Sequence, residues 1–335
     1  MDFIDPDKLS MTVVLTAMNR FINEADGSQT AFLDGNQPDR LCAPMVAHIE
    51  NGGGKILVGA PVRSIEVDET PVGGGAPCIS KLVLGDGREV EADVYVSAMP
   101  VDVFKRLLPP AWAPLPYFAQ LRELEGIPVI NIHLWFDRKL RSVDGLCFSR
   151  SPLLSVYADM STCCKEYADD EASMLELVFA PCSPAAGSDI NWIAKSDEEI
   201  VDAAMGELAR LFPLDVAPDP ESWPATASPE AEAARAGARL AAAAERGGSR
   251  SDDASSVPLG EAKLRKHAVV RVPRSVYAAL PGKGKFRPSQ TTPVPNFVLA
   301  GDWTSQKFLG SMEGAVLAGK LAAEVISDRA QGREP

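Results

Sequence analysis

The sequence predicts an α/β fold interrupted by an inserted α+β region, and three stretches of the chain carry this prediction. Residues 297–300 form a short, continuous apolar run, which is typical of a strand buried on both faces of a parallel sheet. A Gly301-Asp302 turn follows, and residues 314–326 are rich in Ala, Leu and Val, which indicates a helix packed against that strand. In residues 129–136 apolar and polar side chains alternate, which indicates a half-covered antiparallel strand.

Length, charge and cysteine usage restrict the classes of protein to which the chain can belong. A chain of 335 residues with 46% hydrophobic content buries a core large enough for two domains. The formal net charge of −13 argues against a nucleic-acid partner, because no Lys/Arg stripe is available to contact phosphates. No apolar run reaches about 18 residues, so no transmembrane span is predicted, although a local apolar patch could still bind a membrane surface. The six cysteines lack metal-ligand spacing and indicate buried thiols in a reducing compartment, and residues 1–5 resemble neither a signal nor a transit peptide.

The remaining segments give the order of the other elements. Residues 81–90 predict a hairpin that turns at residues 85–87, where two glycines flank an aspartate. Residues 218–258 are dense in Ala, Glu, Arg, Ser and Pro and predict a largely disordered surface spacer. The middle of the chain is therefore interpreted as an antiparallel sheet with helices on one side, inserted between two stretches of an α/β domain. Helices are predicted at 9–25, 44–50 and 196–211, and strands at 55–68, 92–98, 146–157, 173–180 and 267–272.

The residues around the C-terminal turn carry a family resemblance. The text FVLAGDWT at 297–304, followed by SMEGAV at 311–316, resembles the flavin-contacting motif of FAD-dependent amine oxidases and carotenoid desaturases. Outside the spacer, nearly the whole chain is similar to phytoene desaturases of the plant and cyanobacterial type. The most specific text is FSRSPLLSVYADM at 148–160, which distinguishes this family from the related ζ-carotene desaturases. Further matching text is LSM at 9–11, NRF at 19–21, AFLDGN at 31–36, PVIN at 128–131 and PRSVY at 273–277.

The resemblance implies an FAD-dependent oxidoreductase of carotenoid biosynthesis, which dehydrogenates 15-cis-phytoene through phytofluene to ζ-carotene. The flavin takes the hydride, because no amino acid side chain can do so, and the electrons pass on to plastoquinone. The resemblance also implies peripheral attachment to a plastid membrane, either thylakoid or envelope, and admits a homo-oligomer. No residue is assigned a catalytic role, since His48, His133 and His267 lie in three separate predicted elements.

The resemblance also implies a domain plan. It consists of an incomplete FAD-binding Rossmann-like domain of the amine oxidase type and a substrate domain of antiparallel sheet and helices. We expect a helical part of the substrate domain at 1–40, parts of the FAD-binding domain at 41–112 and 286–330, and the rest of the substrate domain, with the spacer, at 113–285. Enzymes of this type begin with a strand, G-x-G-x-x-G and a helix, and this text is absent from the chain. We therefore interpret the chain as the C-terminal portion of a longer enzyme and expect it to bind FAD weakly or not at all by itself.

Seven positions match places where the family contacts FAD. Asp302 and Met312 match FAD-contacting positions, and the small residues of the same turn line the cofactor. Without the family, Asp302 would be interpreted as an ordinary turn or cap residue, and the turn as a helix packed tightly on a strand. The expected FAD contacts are Asp302, Met312, Gly301, Gly314 and Ala315, with Val62 on the adenine side and Ala98 at a nearby turn.

Three positions match the carotenoid pocket of the family. Arg20 lies in an otherwise apolar helix, where a charge is costly unless it is paired or reaches solvent. It either extends from the helix end to solvent or, as the resemblance implies, lines the pocket and orients a quinone oxygen or stabilises flavin charge. Tyr277 and Gly310 also fall on pocket positions, and Tyr277 could instead be a core aromatic residue. Gly310 stands where plant enzymes usually carry alanine, and Ala279 replaces a threonine, so both changes remove atoms from the pocket wall.

Two other functions stay open. One is a ζ-carotene desaturase or another FAD amine oxidase, for which a polar, aromatic-lined pocket would be expected in the amine oxidase case. The other is an inactive fragment, because the glycine-rich fingerprint is missing from the chain.

Overall fold

A computed structural model describes residues 4–23, 31–69, 76–140, 143, 145–149, 151–212, 262–308 and 310–333, without the side chains of Arg20 and Ser275. The predicted spacer at 218–258 lies outside the described residues. The described helices are α1 (Met11–Asn23), α2 (Ala43–Asn51), α3 (Val101–Leu107), α4 (Pro116–Ala119), α5 (Met160–Cys163), α6 (Asp197–Leu211) and α7 (Met312–Ala330). The described strands are β1 (Val62–Asp68), β2 (Cys78–Leu84), β3 (Glu89–Val90), β4 (Tyr95–Ser97), β5 (Gly126–Phe136), β6 (Leu146–Phe148), β7 (Leu154–Asp159), β8 (Met174–Phe179), β9 (Leu264–Tyr277) and β10 (Phe297–Leu299).

The middle of the chain forms a five-stranded antiparallel sheet in the order β6-β7-β8-β5-β9. The alternation predicted for residues 129–136 is confirmed in β5, where Ile130, Ile132 and Leu134 are fully buried. They pack in one core with Ile200 and Leu208 of α6, which covers this face of the sheet. A capping box at the helix start, in which Ser196 and Glu199 exchange hydrogen bonds, fixes where α6 begins. The polar residues of β5 lie on the opposite face.

The second sheet is the parallel pair β10-β4, in which Phe297 lies opposite Tyr95 and Leu299 opposite Ser97. All three residues of β10 are buried, as the apolar run at 297–300 predicts. Ala322 of α7 packs on the outer face of β10, so the predicted strand, turn and helix are confirmed. Because β4 precedes the five-stranded sheet in the chain and β10 follows it, that sheet stands as an insertion between the two parallel strands.

An aromatic cluster joins the parallel pair to the short helices α3 and α4. The ring of Phe104 in α3 contacts Phe297 of β10 at 5.7 Å between centroids, and Trp112 stacks on Phe118 of α4 at 5.5 Å. Burial of each such ring contributes on the order of 2–3 kcal/mol. The cluster therefore holds the region after β4 against the region after β10.

Strands β1, β2 and β3 form an antiparallel meander, and the predicted hairpin turn at 85–87 is confirmed. Gly87 has a φ of 87°, which favours glycine. The strand predicted at 55–68 begins only at Val62. Pro61 cannot donate to a ladder, and Gly59 has a φ of 67°, so the backbone turns before the strand starts. The other predicted elements are observed with shifted ends, and residues 146–157 form two strands, β6 and β7.

A fully buried carboxylate, Asp159, joins the end of β7 to the start of β8. It accepts hydrogen bonds from the backbone nitrogen and hydroxyl of Ser161, at 3.0 and 2.5 Å, and from the hydroxyl of Ser173 at 2.6 Å. The ammonium of Lys139 lies 3.5 Å away. These donors satisfy the buried charge, which would otherwise be costly.

Across the helices that the structure describes, none is long and apolar enough to span a bilayer.

Candidate functional site

The turn after β10 brings the predicted cofactor positions together. Gly301 has a φ of 119°, and a Cβ atom there would lie 2.8 Å from Nε1 of Trp303. That indole nitrogen donates a hydrogen bond of 2.9 Å to the carbonyl of Met99, and the backbone nitrogen of Ala300 donates one of 2.8 Å to Ser97. Ala98 therefore lies beside the turn, at the shared carboxyl end of the two parallel strands. This is the place where open α/β sheets bind ligands.

Asp302 lies at this turn next to Arg287, a residue that the sequence analysis did not select. Burial raises the pKa of the Asp302 carboxyl above its ordinary value, and the positive charge of Arg287 offsets this only in part. Burial also lowers the pKa of Arg287. The guanidinium donates hydrogen bonds to the backbone carbonyls of Asp302, at 2.7 Å, and Trp303, at 3.3 Å. A half-buried arginine thus holds the backbone of the turn, while the Asp302 carboxylate lies in a poorly solvated place.

Two of the predicted pocket residues, Tyr277 and Gly310, meet at the same carboxylate. A Cβ atom on Gly310 would lie 3.3 Å from Oδ2 of Asp302 and 3.4 Å from the Tyr277 ring. The guanidinium of Arg287 lies 5.5 Å from the centroid of that ring, a cation–π distance. Burial raises the pKa of the Tyr277 phenol. The structure therefore brings together residues from three separate parts of the chain.

The first turn of α7 carries Met312, Gly314 and Ala315. Ser311 caps the helix by accepting a hydrogen bond of 3.1 Å from the backbone nitrogen of Gly314. Met312 is 68% exposed and Ala315 is exposed, whereas Gly314 is buried. An exposed thioether and small residues at the positive end of a 19-residue helix fit a flat ring with polar edges. This arrangement and the Gly301 turn fit the flavin part of FAD.

Two predicted positions are not assembled with this group. Val62 is the first residue of β1, opposite Leu84, in the separate three-stranded sheet. Arg20 lies in α1, and its side chain is outside the described part of the chain. Neither alternative for Arg20 is tested by the structure.

The open face of the five-stranded sheet lines a cavity of about 830 Å³. Its walls are mainly apolar, and Met312 belongs to them, so the cavity reaches the first turn of α7. The apolar contributors include Phe32, Leu33, Trp135, Leu146, Val156 and Val178. A long hydrocarbon fits such a lining.

A smaller cavity, of about 460 Å³, lies between α1 and the end of β9. Tyr277, Ala279 and Arg287 line one side, and Thr12 and Thr16 of α1 line the other. Of the pocket positions named by the resemblance, Tyr277 therefore faces a space next to α1, as does the neighbouring Ala279.

Arg287 and Trp303 are the structurally important residues that sequence reasoning missed. Trp303 is contained in the motif text, and its burial could have been inferred from its place directly after a buried strand. Arg287 stands in a loop between Phe286 and Pro288, and nothing in its local sequence points to the carbonyls of residues 302 and 303.

Known proteins resemble the chain over almost all of its length. It is 46% identical over 330 residues to the 15-cis-phytoene desaturase of Synechococcus elongatus, covering 98% of this chain and 59% of that protein. It is 46% identical over 327 residues to the chloroplastic/chromoplastic 15-cis-phytoene desaturase of Capsicum annuum, covering 97% and 47%. Identity to the zeta-carotene desaturase of Arabidopsis thaliana is 28%, covering 97% and 52%. The expected resemblance is confirmed, and the chain spans about half the length of these curated relatives.

Solved structures share the fold. An oxidoreductase from Methanosarcina mazei superimposes with a TM-score of 0.50 at 15% identity, covering 83% of this chain and 51% of that one. A candidate protoporphyrinogen oxidase from Exiguobacterium sp. 255-15 gives a TM-score of 0.51 at 13% identity, covering 83% and 48%. The family model described as flavin containing amine oxidoreductase matches residues 1–327. With the parallel pair, the inserted sheet and the turn at Gly301 in place, this match shows that the chain belongs to the flavin containing amine oxidoreductase family.

Proposed function

We propose that this chain is part of an FAD-dependent desaturase of carotenoid biosynthesis, which converts 15-cis-phytoene through phytofluene to ζ-carotene. The observation that carries the proposal is the mainly apolar cavity of about 830 Å³ with Met312 in its wall. A hydrocarbon substrate has no polar group to recognise, so an apolar cavity next to the cofactor turn is what its binding requires. The 46% identity to proteins named 15-cis-phytoene desaturase supports the same substrate.

Seven residues are proposed to hold FAD. The flavin, when bound, supplies the acceptor for the hydride. The first turn of α7 and the Gly301 turn orient the ring, and the apolar walls of the cavity exclude water from it. Among the described residues only two parallel strands are present, and the sequence lacks G-x-G-x-x-G for the pyrophosphate. We therefore expect weak or no FAD binding by these 335 residues alone, to be tested by the absorbance of the purified chain near 450 nm. The proposed contacts are Gly301, Asp302, Met312, Gly314, Ala315, Ala98 and Val62.

Arg20, Tyr277 and Gly310 are proposed to line the substrate pocket. Tyr277 supports this by lining the smaller cavity beside α1, and Gly310 by lying next to the Tyr277 ring. For Arg20 the test is the variant Arg20→Ala in a full-length enzyme. A sharp loss of turnover with normal FAD content supports the pocket role, and a loss of expression supports a structural role at the helix end.

Peripheral membrane attachment is proposed through α1. Met11, Leu15 and Ile22 are 65%, 60% and 74% exposed on this helix. Exposed apolar side chains on one helix are suited to insertion into a lipid surface. The plant relatives are named chloroplastic/chromoplastic, which supports a plastid location. Plastoquinone as electron acceptor, a thylakoid or envelope membrane, a homo-oligomer and the domain division at residues 40, 112 and 285 belong to the same proposal.

The test is expression in bacteria that accumulate 15-cis-phytoene, followed by chromatography of the pigments. We expect a full-length gene containing this chain to yield ζ-carotene, and the 335-residue chain alone to leave phytoene unchanged. Conversion of ζ-carotene but not of phytoene would instead support a ζ-carotene desaturase, which the 28% identity disfavours. No conversion of either carotenoid by the full-length gene would support the inactive fragment.

A further inference from the structure

Two ionisable side chains stand directly opposite each other on the open face of the five-stranded sheet. The register of β5 and β8 places His133 opposite Glu176. Both side chains are half-buried, and both belong to the wall of the 830 Å³ cavity. Directly opposed residues of antiparallel strands have Cβ atoms about 5 Å apart, so the imidazole and the carboxylate can share one ligand or one proton.

The surroundings of this pair are mainly apolar. Its neighbours on the same face include Trp135, Val178 and Ala158, and the ring of Trp135 lies 6.0 Å from that of His133. Within the residues that the structure describes, the side chains of His133 and Glu176 form no hydrogen bond and no ion pair, although both backbones belong to the sheet ladders. An imidazole and a carboxylate that face each other in a cavity wall are placed to exchange a proton with a bound ligand.

We propose that Glu176 is the proton acceptor of the desaturation, with His133 beside it to take up the proton in turn. This assignment rests on the proposed function. One C–H bond of the substrate breaks with its electron pair leaving as a hydride to the oxidised flavin, which is thereby reduced. The adjacent C–H bond breaks heterolytically, its electron pair forms the new C=C bond, and its proton goes to a carboxylate oxygen of Glu176. The cavity that holds the pair also contains Met312, so it connects the carboxylate to the proposed flavin turn.

The other carboxylates near the cavity are already engaged. Asp169, in the same wall, accepts hydrogen bonds of 2.8 and 2.9 Å from the backbone nitrogens of Glu171 and Ala172. Asp159 is fully buried and accepts three hydrogen bonds. Glu176 is therefore the acid of this cavity that is available to a bound substrate.

The first test measures flavin reduction by 15-cis-phytoene in a single anaerobic turnover of the full-length holoenzyme. We expect Glu176→Gln to slow this step by about 10²–10⁴-fold, the usual contribution of a general base, with substrate affinity nearly unchanged. In Glu176→Ala, added acetate or formate restores part of the rate by replacing the carboxylate. The matched control is Glu171→Gln, which removes an exposed carboxylate outside the cavity wall and retains the wild-type rate. A normal rate in Glu176→Gln, or a slow Glu176→Ala enzyme that acetate and formate leave slow, overturns the assignment.

The second test does not depend on turnover. The chain has three histidines, and His48 and His267 are exposed on α2 and β9. Diethyl pyrocarbonate modification, mapped by mass spectrometry, should label His133 in the holoenzyme and lose that label when 15-cis-phytoene is bound. His48 and His267 serve as internal controls whose labelling is unaffected. If His133 is labelled equally with and without bound phytoene, the pair does not face the substrate and the assignment is refuted. If the wild-type enzyme desaturates phytoene and the Glu176→Gln variant does so at the same rate, only this assignment is refuted. If the wild-type enzyme is inactive on phytoene, the proposed function is refuted as well.

Discussion

Replacing Gly301 by alanine tests the packing of the turn at the centre of the candidate site. Its φ of 119° lies in a region that side-chain-bearing residues rarely adopt, and holding alanine there costs about 1–3 kcal/mol. The added Cβ would also lie 2.8 Å from Nε1 of Trp303, closer than such atoms can remain, and 3.1 Å from its Cδ1, which is a tight contact. The indole must therefore move.

The indole has little freedom to move. It is 1% exposed, it stacks on Phe104 at 6.3 Å, and it donates a hydrogen bond of 2.9 Å to the carbonyl of Met99. Breaking that bond leaves the buried indole N–H without a partner, at about 1–3 kcal/mol. We therefore expect Gly301→Ala to lower the free energy of unfolding by about 2–6 kcal/mol, a large fraction of the roughly 5–15 kcal/mol that stabilises an ordinary domain.

The assay is guanidinium denaturation followed by far-ultraviolet circular dichroism. The matched control is Gly53→Ala, because Gly53 has a φ of 83° but no heavy atom within 4 Å of the added Cβ. It should show the backbone cost alone, about 1–3 kcal/mol. In a Trp303→Ala background, the destabilisation caused by Gly301→Ala should be smaller by at least about 1 kcal/mol, because there is no indole for the added Cβ to meet. Equal costs at Gly301 and Gly53, or strict additivity with Trp303→Ala, would refute the reasoning.

Three further predictions concern buried charges and thiols. Asp302→Asn should stabilise the protein near pH 7, because burial raises the pKa of this carboxyl and the fold favours its neutral form. The difference in free energy of unfolding between Asp302→Asn and wild type should grow as pH rises from the ordinary carboxyl pKa of 3.8 through the raised pKa of Asp302. The positive charge of Arg287 should make this difference smaller. Asp159→Ala should lower the free energy of unfolding by about 3–5 kcal/mol, because a lysine and two serines lose a buried partner. Burial raises the pKa of Cys182 to about 11, so at pH 8 iodoacetamide should label it at least about 100-fold more slowly than the exposed Cys42.

Each of these has a measurement that can contradict it. Thermal melts of Asp302→Asn and wild type between pH 3 and 8 test the Asp302 prediction. A stability difference that grows towards acid pH would contradict it. For Asp159→Ala the control is the isosteric Asp159→Asn, which keeps one acceptor and should cost less in urea denaturation. For Cys182 the labelling rate should rise to that of Cys42 once denaturant unfolds the protein, and rapid labelling of the folded protein would show that the thiol is accessible.

The local elements were predictable because their signals lie within a few residues. The alternation in residues 129–136 follows from one buried and one open face, and the apolar run at 297–300 follows from burial on both faces. Residues 55–68 were predicted to be strand-like on both sides of Gly59 and Pro61, but only the part after Pro61 forms a strand, because the chain turns at Gly59. The ends of helices also shifted, since capping by Ser311 starts α7 two residues before the predicted one.

Sequence alone determined the family, the order of elements and the turn at Gly301 that is proposed to hold the cofactor, because these follow from contiguous motifs and short-range periodicity. The tertiary structure decided which distant residues meet. Tyr277, Asp302 and Gly310 converge on one contact, Arg287 reaches the backbone of that turn, and His133 faces Glu176 across two strands. The physical reason is that strand register and the packing of a turn depend on long-range contacts. The alternation in β8 determines which face carries Glu176, but which residue of β5 stands opposite it is decided only when the two strands pair.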